Sequence, residues 1–235
     1  MMTREKETLS SIPGDDSTLS EPLRVPDALR LAAQDCGLTR VGLVLRALGH
    51  LPALLPRLFR GSAPMSVKLN FILAPAVRAV LTARMSPEKA DLAFRRVLYA
   101  AAAAAPLAAF GQQFPLKDSI PELAGKYRKV FSGPGKHQQV SYGVSRPEEF
   151  QFQVLKCSFR SALEDLGLGA YISVICDADR WYWSRALVGT DVLWSKNRDT
   201  LGYGGTHCHS LFRSRSADGK REAPVVLPLR QTSDP

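Results

Sequence analysis

Residues 149–157 read EFQFQVLKC and residues 171–179 read YISVICDAD, and these two stretches decide the predicted fold. In the first, apolar and polar side chains alternate, which is typical of a β-strand with one buried face. The second opens on the apolar run Tyr171 to Ile175, which predicts another strand. Between them, Ser158 to Leu166 predicts a short amphipathic helix that ends at Gly167. The order strand, helix, strand indicates a small α/β core.

Shorter patterns predict the rest of this core. We expect a second helix from Asp179 to Val188, then strands at 192–194 and 201–203. Gly204 and Gly205 predict a turn, and a last strand should run from Cys208 to Arg213. The core is therefore predicted to cover residues 146–213 and to hold a mixed sheet.

The chain before this core is predicted to be helical. Residues 1–26 are rich in Ser, Thr, Asp and Pro, which is typical of a flexible arm. Residues 27–145 carry apolar side chains at helical spacing, with a good helix start at Ser86-Pro87-Glu88 and a connector over 115–142. Residues 214–235 form a polar tail with an edge strand expected at 225–227. The predicted class is α+β: a helical N-terminal region packed on a small C-terminal mixed β-sheet with α/β units.

Composition narrows the classes of function. The net charge of +9 fits an acidic partner, but the basic residues form no long run and no nucleic-acid-binding motif, so no nucleic acid is expected. Four cysteines are too few for a disulfide scaffold, and the N-terminus has no apolar signal segment, so we expect reduced thiols in the cytoplasm. The apolar stretch Val97 to Phe110 is shorter than the roughly twenty residues that span a bilayer, which predicts a buried or partner-facing helix and no membrane partner.

Three cysteines are predicted to lie at the ends of elements. Cys157 and Cys176 each follow a predicted strand and precede a helix, and Cys208 follows the glycine turn. A helix N-terminus lowers the pKa of a nearby thiol and favours the reactive thiolate. Cys36, by contrast, lies on the apolar face of an N-terminal helix, where a buried and inert thiol is expected.

These motifs resemble those of the L-2-amino-thiazoline-4-carboxylic acid hydrolase family. Cys157 opens a helix, Cys176 lies three residues before Asp179, and residues 200–209 read TLGYGGTHCH, all in the order that the family shows. The resemblance implies hydrolysis of a cyclic amidine: water adds at the ring carbon between nitrogen and sulfur, and the thiazoline opens to an N-carbamoyl-cysteine. It also fits a bacterial enzyme repurposed in natural-product biosynthesis. Ser210 stands where the family has an aromatic residue, which predicts a shifted or bulged last strand.

The residue types suggest roles in such a reaction. Cys157 or Cys208 is expected to attack an sp² carbon as a thiolate, while Asp179 moves protons and Cys176 lines the pocket or assists. Because side chains alternate along a strand, histidines flanking Cys208 should face away from it. No cofactor and no metal is predicted, and a small molecule is the expected partner. The predicted substrate-binding residues are His207, His209, Gly204, Gly205 and Arg160, the last as a possible carboxylate ligand.

Two other classes of function stay open at this point. Cys157, Cys176 and Cys208 with His207 or His209 would be a reasonable set of metal ligands for an isomerase or lyase, although no paired Cys or His knuckle is present. A non-catalytic scaffold of the same fold is the other alternative. The alanine-rich helix at 97–110 is a candidate homodimer face for the predicted enzyme as well as for the scaffold.

Overall fold

The computed structural model of the chain describes residues 22–132, 138–196 and 200–218. Two short 3-10 helices, Gly169–Tyr171 and Leu201–Tyr203, accompany the main elements. The main elements, in chain order, are α1 Val25–Asp35, α2 Arg40–Gly49, α3 Leu51–Leu58, α4 Met65–Leu69, α5 Leu73–Thr82, α6 Pro87–Phe110, α7 Ile120–Ser132, β1 Gln139–Arg146, β2 Glu149–Lys156, α8 Ser158–Asp165, α9 Ile172–Ala186, β3 Val192–Lys196, β4 Cys208–Ser214 and α10 Arg215–Asp218.

The helix boundaries follow local sequence cues. The Thr39 hydroxyl accepts a hydrogen bond from the Gly42 amide at 3.0 Å and so caps the start of α2. Helix α6 begins at Pro87, directly after Ser86, as the sequence predicted. Gly37, with φ of +70°, lies in the break between α1 and α2, because glycine adopts this left-handed conformation without steric cost.

The C-terminal half contains a four-stranded sheet in the order β1-β2-β4-β3. Each neighbouring pair is antiparallel, so the α+β class is confirmed but the prediction of a mixed sheet is wrong. The pairing of β2 with β4 is continuous from Val154 opposite Cys208 to Glu149 opposite Arg213. The expected shift or bulge in the last strand is therefore not found.

Two predicted strands are helical in the structure. Residues 171–175 were predicted to be a strand, but Ile172 to Ile175 form the first turn of α9, which continues to Ala186. A short apolar run fits a buried helix as well as a buried strand, and this run lies where the helix packs on α6. Likewise, 201–203 form a 3-10 helix. With Tyr171–Ile175 helical, the strand-helix-strand units predicted for the core are absent from the described residues.

Strand β1 begins inside the predicted connector over 115–142 and extends four residues beyond it. Its sequence, QVSYGVSR, contains Gly143. In the sheet, a side chain at position 143 would overlap Gln151 on the adjacent strand, so glycine permits the close approach. Residues 1–21 of the predicted arm and residues 225–227 lie outside the described residues, and α1 begins at Val25, within the predicted arm.

Two hydrophobic clusters share the long helices. One joins α1, α2, α5 and the first half of α6, and the other joins the sheet, α7 and the end of α6. Helix α9 contributes to both clusters, and Tyr99 and Ile175 pack against both. The second cluster is aromatic: the Trp183 ring lies 4.9 Å from Phe212 and 5.0 Å from Phe110. Helices α6 and α9 therefore join the helical half to the sheet half.

Two polar contacts also join α4, α5 and α6 to α8 and the residues just before α9. Lys68 on α4 is 1% exposed and forms an ion pair at 2.9 Å with Asp165 at the end of α8. Tyr171 donates a hydrogen bond at 2.6 Å to Asp91 on α6 and accepts one from Arg78 on α5 at 3.0 Å. Since both contacts bridge elements far apart in sequence, they fix how the helices pack on the region of α8 and α9.

By length and composition alone, two helical stretches among the described residues could cross a membrane. These are Met65–Thr82 and Pro87–Phe110, and α2 with α3, bent by 57°, would be a third if the pair formed one span. The apolar stretch 97–110 is thus the second half of α6, the helix whose start was predicted at Ser86-Pro87-Glu88. In this structure α5 and α6 pack against each other, and α6 also packs against α1 and α9.

Candidate active site

Cys157 lies where β2 ends and α8 begins, as the sequence predicted. It occupies the N-cap position of α8 in extended conformation, and its side chain is partly buried. Burial raises the pKa of this thiol to about 11, although the backbone N–H groups of Arg160 and Phe159 favour the thiolate. The expected lowering of the pKa by the helix N-terminus is therefore wrong for Cys157, because desolvation outweighs the amide groups.

Cys176 does not lie at the end of a strand. It is in the first half of α9, it is buried, and its sulfur accepts a hydrogen bond from the Thr200 hydroxyl at 3.7 Å. Burial raises its pKa as well, so the prediction of a helix N-terminus that activates this thiol is also wrong. A side chain at Gly202 would overlap the Cys176 sulfur, which shows how closely the 200–205 segment covers this residue.

Cys208 begins β4 after the glycine turn, as predicted. It is 8% exposed, and its sulfur accepts a hydrogen bond from the Leu201 amide at 3.3 Å. The thiols of Cys157, Cys176 and Cys208 are near enough that Cys176 and Cys208 each help to raise the pKa of Cys157. The structure therefore brings three cysteines from three separate elements together.

Asp179 lies one helical turn after Cys176 on α9, on the same face of the helix. Its carboxylate accepts a hydrogen bond from Lys196 Nζ at 2.6 Å and one from Trp183 Nε1 at 3.2 Å. Burial opposes the charge on Lys196, but the Asp179 carboxylate outweighs it, and the pKa of Lys196 is raised above its ordinary value. Asp179 is thus in the interior of a helix and does not begin one, contrary to the sequence prediction.

No motif in the sequence singles out Lys196, although its position in β3 gives a cue. Lys196 lies in β3, two positions after Trp194 and four positions after Val192. Its side chain therefore lies on the same face of the strand as theirs, the face that points to the core. A lysine on a buried face is uncommon unless it is paired. That pattern could have indicated a charged partner on a neighbouring element, but not which carboxylate it would be.

The segment 200–205 covers the site and is held by the glycine turn. Gly204 has φ of +88°, and the Gly205 amide donates to the Thr200 carbonyl at 2.9 Å. Arg160 on α8 donates to the Leu201 carbonyl at 3.1 Å and to Glu164 at 2.8 Å. Arg160, Gly204 and Gly205 therefore hold this segment in its conformation.

The two histidines lie apart from the thiols. Along β4, Cys208 is buried while His209 is partly exposed on the other face, which is the alternation expected of a strand. His209 Nε2 lies 3.4 Å from Gln151 Oε1, and His207 Nδ1 lies 3.0 Å from the Thr206 hydroxyl. Burial, followed by the neighbouring His207, lowers the pKa of His209. The structure thus groups the histidines with each other, away from Cys208.

A second group of polar residues borders the site and was not predicted. The Tyr203 hydroxyl donates to the Asp177 carboxylate, and the Arg180 guanidinium lies over the Tyr203 ring at 4.9 Å from its centre. The hydroxyl of Tyr99 on α6 is buried with no hydrogen-bond partner among the described residues. Burial and the Asp177 charge raise the pKa of Tyr99 to about 12, so this hydroxyl is a proton donor rather than a base.

The described residues contain no group of three or more His, Cys, Asp or Glu side chains placed to hold a metal ion. Their arrangement therefore does not favour the alternative of a Cys₃His metal site. Cys176 and Cys208 instead accept hydrogen bonds from a hydroxyl and an amide of the 200–205 segment.

The fold and the site define an α+β protein with buried thiols beside a carboxylate–ammonium pair. A family model described as L-2-amino-thiazoline-4-carboxylic acid hydrolase matches residues 68–212, and the chain belongs to this family. The match begins at Lys68 and includes all three site cysteines, Asp179 and Lys196. Neither a search of curated proteins nor a search of solved structures gave a match. The family name supports a hydrolase in general.

Proposed function

We propose that this chain hydrolyses a small cyclic amidine, with a thiazoline such as L-2-amino-thiazoline-4-carboxylate as the reference substrate. The main supporting observation is a cluster around α9. Asp179 pairs with Lys196, Cys176 one turn earlier accepts a hydrogen bond from Thr200, and the thiols of Cys157 and Cys208 lie near that of Cys176. Thiols beside a paired carboxylate are the groups needed to add a nucleophile to a C=N carbon and to move protons.

In the proposed reaction a cysteine thiolate adds to the carbon between the ring nitrogen and the ring sulfur. The thiol proton passes to the ring nitrogen, and the bond from this carbon to the ring sulfur breaks, which releases the substrate thiol. Water then adds to the same carbon, and the enzyme thiolate leaves with the electron pair of the carbon–sulfur bond. One water is consumed, and the product is the ring-opened N-carbamoyl thiol.

Cys157 is the favoured nucleophile of the three. It is the least buried, whereas Cys176 and Cys208 are at most 9% exposed. Its sulfur also faces the N-terminal amides of α8, which would stabilise a thiolate once the substrate or a base has removed the proton. Asp179 with Lys196 supplies a carboxylate and an ammonium held 2.6 Å apart, which suits the transfer of a proton to nitrogen and from water.

The test is turnover of L-2-amino-thiazoline-4-carboxylate by the purified chain, followed by mass spectrometry as the gain of one water. We expect Cys157→Ser to lower kcat/KM by about a thousandfold or more and Asp179→Asn by about a hundredfold to ten-thousandfold. Rapid acid quenching should trap a covalent adduct on the peptide that contains Cys157.

Cys36→Ser is the matched control, because Cys36 is a buried thiol at the end of α1 that belongs to the N-terminal cluster. It should keep full activity. Because Asp179→Asn leaves Lys196 without its carboxylate, Asp179→Glu and the thermal midpoint of each variant separate loss of chemistry from loss of folding. Full turnover by folded Cys157→Ser would contradict the nucleophile, and no turnover of any cyclic amidine would contradict the function.

A further inference from the structure

Helices α2 and α3 expose large apolar side chains on the surface of the helical half. On α2, Val41 is 61% and Leu45 is 62% exposed, and on α3 Phe59, at the C-cap, is 78% exposed. Leu48 and Leu55 are also exposed. A single exposed apolar residue is ordinary. Five within nineteen consecutive residues form an apolar patch of the kind that marks an interaction site.

The exposed residues form a stripe opposite the buried side of α2. Val41, Leu45 and Leu48 follow the spacing i, i+4, i+7, which places them on one face of the helix. The buried side is formed by Leu43 and Ala47, which belong to the N-terminal cluster. Helix α2 therefore has two apolar faces, and only the face with Leu43 and Ala47 packs in the core.

Within the segment that carries this stripe the charges have one sign. From Cys36 to Pro87 the sequence has no Asp or Glu. The same range holds six arginines, all with exposed side chains: Arg40, Arg46, Arg57, Arg60, Arg78 and Arg84. A helical segment with exposed apolar residues beside cationic ones, and with no acid of its own, is the pattern of helices that bind anionic lipid surfaces.

Two surface depressions lie next to the stripe. One, of about 490 Å³, is lined by apolar residues of α1 and α2, among them Leu29, Val41 and Leu45. The other, of about 270 Å³, lies between α2 and α5 and is lined by Arg46, His50 and Arg84. The first suits an acyl chain segment or an apolar side chain, and the second suits an anionic headgroup.

We propose that the α2–α3 surface binds peripherally to a bilayer that contains anionic phospholipids. A second copy of the chain is the less suitable occupant, because a two-fold contact through this face would bring arginines of both copies together with no acid from the same region. The sequence alone predicted no membrane partner, and the exposure of Leu45 and Phe59 in the folded chain is what changes that expectation.

The experiment is flotation of the full chain with vesicles of phosphatidylcholine alone or mixed with phosphatidylglycerol. We expect flotation only with the mixed vesicles and release at high salt, because salt screens the attraction of arginines to the surface. The double variant Leu45→Glu/Phe59→Glu should weaken binding about tenfold or more, and Arg46→Gln about fivefold.

The matched control is Val188→Glu, since Val188 is 63% exposed but lies after α9, in the other half of the molecule. It should float like the unchanged chain. Flotation of the double variant to the full extent would overturn the proposal, as would absence of binding to mixed vesicles. A dimer in sedimentation that Leu45→Glu dissociates, without vesicle binding, would assign the surface to a second copy instead. Protein that stays with the vesicles after alkaline carbonate extraction would indicate a spanning helix and overturn peripheral binding.

Discussion

Cys157 shows how burial and helix position compete at a single residue. The N-terminus of α8 favours a thiolate, but the desolvation of the sulfur raises the pKa to about 11. At neutral pH only about one in ten thousand molecules would then carry the thiolate. The Cys157 thiol is therefore neutral in the resting site, and its thiolate must form when the substrate binds.

The first prediction concerns the rate at which Cys157 is alkylated in the free protein. Between pH 7 and pH 10 the rate with a small electrophile should rise about tenfold per pH unit, because the thiolate reacts and its fraction grows with pH below the pKa of about 11. Peptide mapping by mass spectrometry after timed labelling gives the rate for each cysteine. A pH-independent rate from pH 7 upwards would mean that the thiolate already exists at neutral pH.

The pair of Lys196 and Asp179 is a further residue-scale feature. Lys196 has a side chain that is 10% exposed, and its charge is stabilised by a carboxylate 2.6 Å away. Removing either partner leaves the other charge in a poorly solvated place, which is more costly than removing both. The activity of each Asp179 variant should therefore be interpreted together with its thermal midpoint, which shows whether the variant is still folded.

At the scale of elements, the connection between α4 and α8 depends on one buried charge. Lys68 is 1% exposed, and its ammonium is satisfied by Asp165 and by the carbonyls of Leu58 and Arg60. Burial acts to raise the pKa of Asp165, but the Ala63 amide and Lys68 outweigh it, so the pKa of Asp165 is lowered. This carboxylate stabilises the fold because it is charged.

The second prediction is that Asp165→Asn lowers the free energy of unfolding by about 3 kcal/mol at neutral pH, because it leaves Lys68 buried without a counter-charge. Denaturant unfolding measures the change. The ionised Asp165 contributes above the unfolded pKa of 3.8, and this contribution is lost as the pH falls through the lower folded pKa. The difference between variant and unchanged chain should therefore shrink under acid conditions.

Asp35→Asn is the matched control for this prediction. Asp35 pairs with Arg96 at 3.2 Å, but the two side chains are 44% and 36% exposed, so the change should cost less than about 1 kcal/mol. If both substitutions changed stability equally, the buried environment of Lys68 would not be the cause.

At the scale of the whole molecule, the two hydrophobic clusters should unfold together. Helices α6 and α9 contribute residues to both clusters, so neither cluster keeps its packing when the other is lost. All three tryptophans, Trp181, Trp183 and Trp194, are associated with the sheet-side cluster, whereas most helices belong to the other. Tryptophan fluorescence therefore reports on one half, and far-ultraviolet circular dichroism mainly on the other.

The third prediction uses that separation. Phe94 is fully buried in the helical cluster, with its ring 4.8 Å from Tyr171, and Phe94→Ala should destabilise the protein by about 3–5 kcal/mol. Because the clusters share α6 and α9, the tryptophan transition should shift as much as the helical one. An unchanged tryptophan transition would show that the sheet half folds independently.

Features that depend on neighbours along the chain could be predicted from the sequence. The alternation in EFQFQVLK predicted β2, Ser86-Pro87 predicted the start of α6, and the positions of Cys157 and Cys208 at element ends followed from the same local patterns. The sequence also predicted that Cys208 and His209 face opposite sides of β4, because side chains alternate along any strand. Helices, a sheet and their α+β class could be read in this way.

Only the tertiary structure decided the features that depend on what surrounds a residue. Ile172 to Ile175 are helical because that apolar run is buried against α6, so the sheet lacks the strand predicted there. Lys196 meets Asp179 across seventeen positions of sequence, and the pKa of Cys157 depends on burial by distant elements. Burial and pairing are non-local, since they arise from which faces meet when the chain packs, and no periodicity along the sequence encodes them.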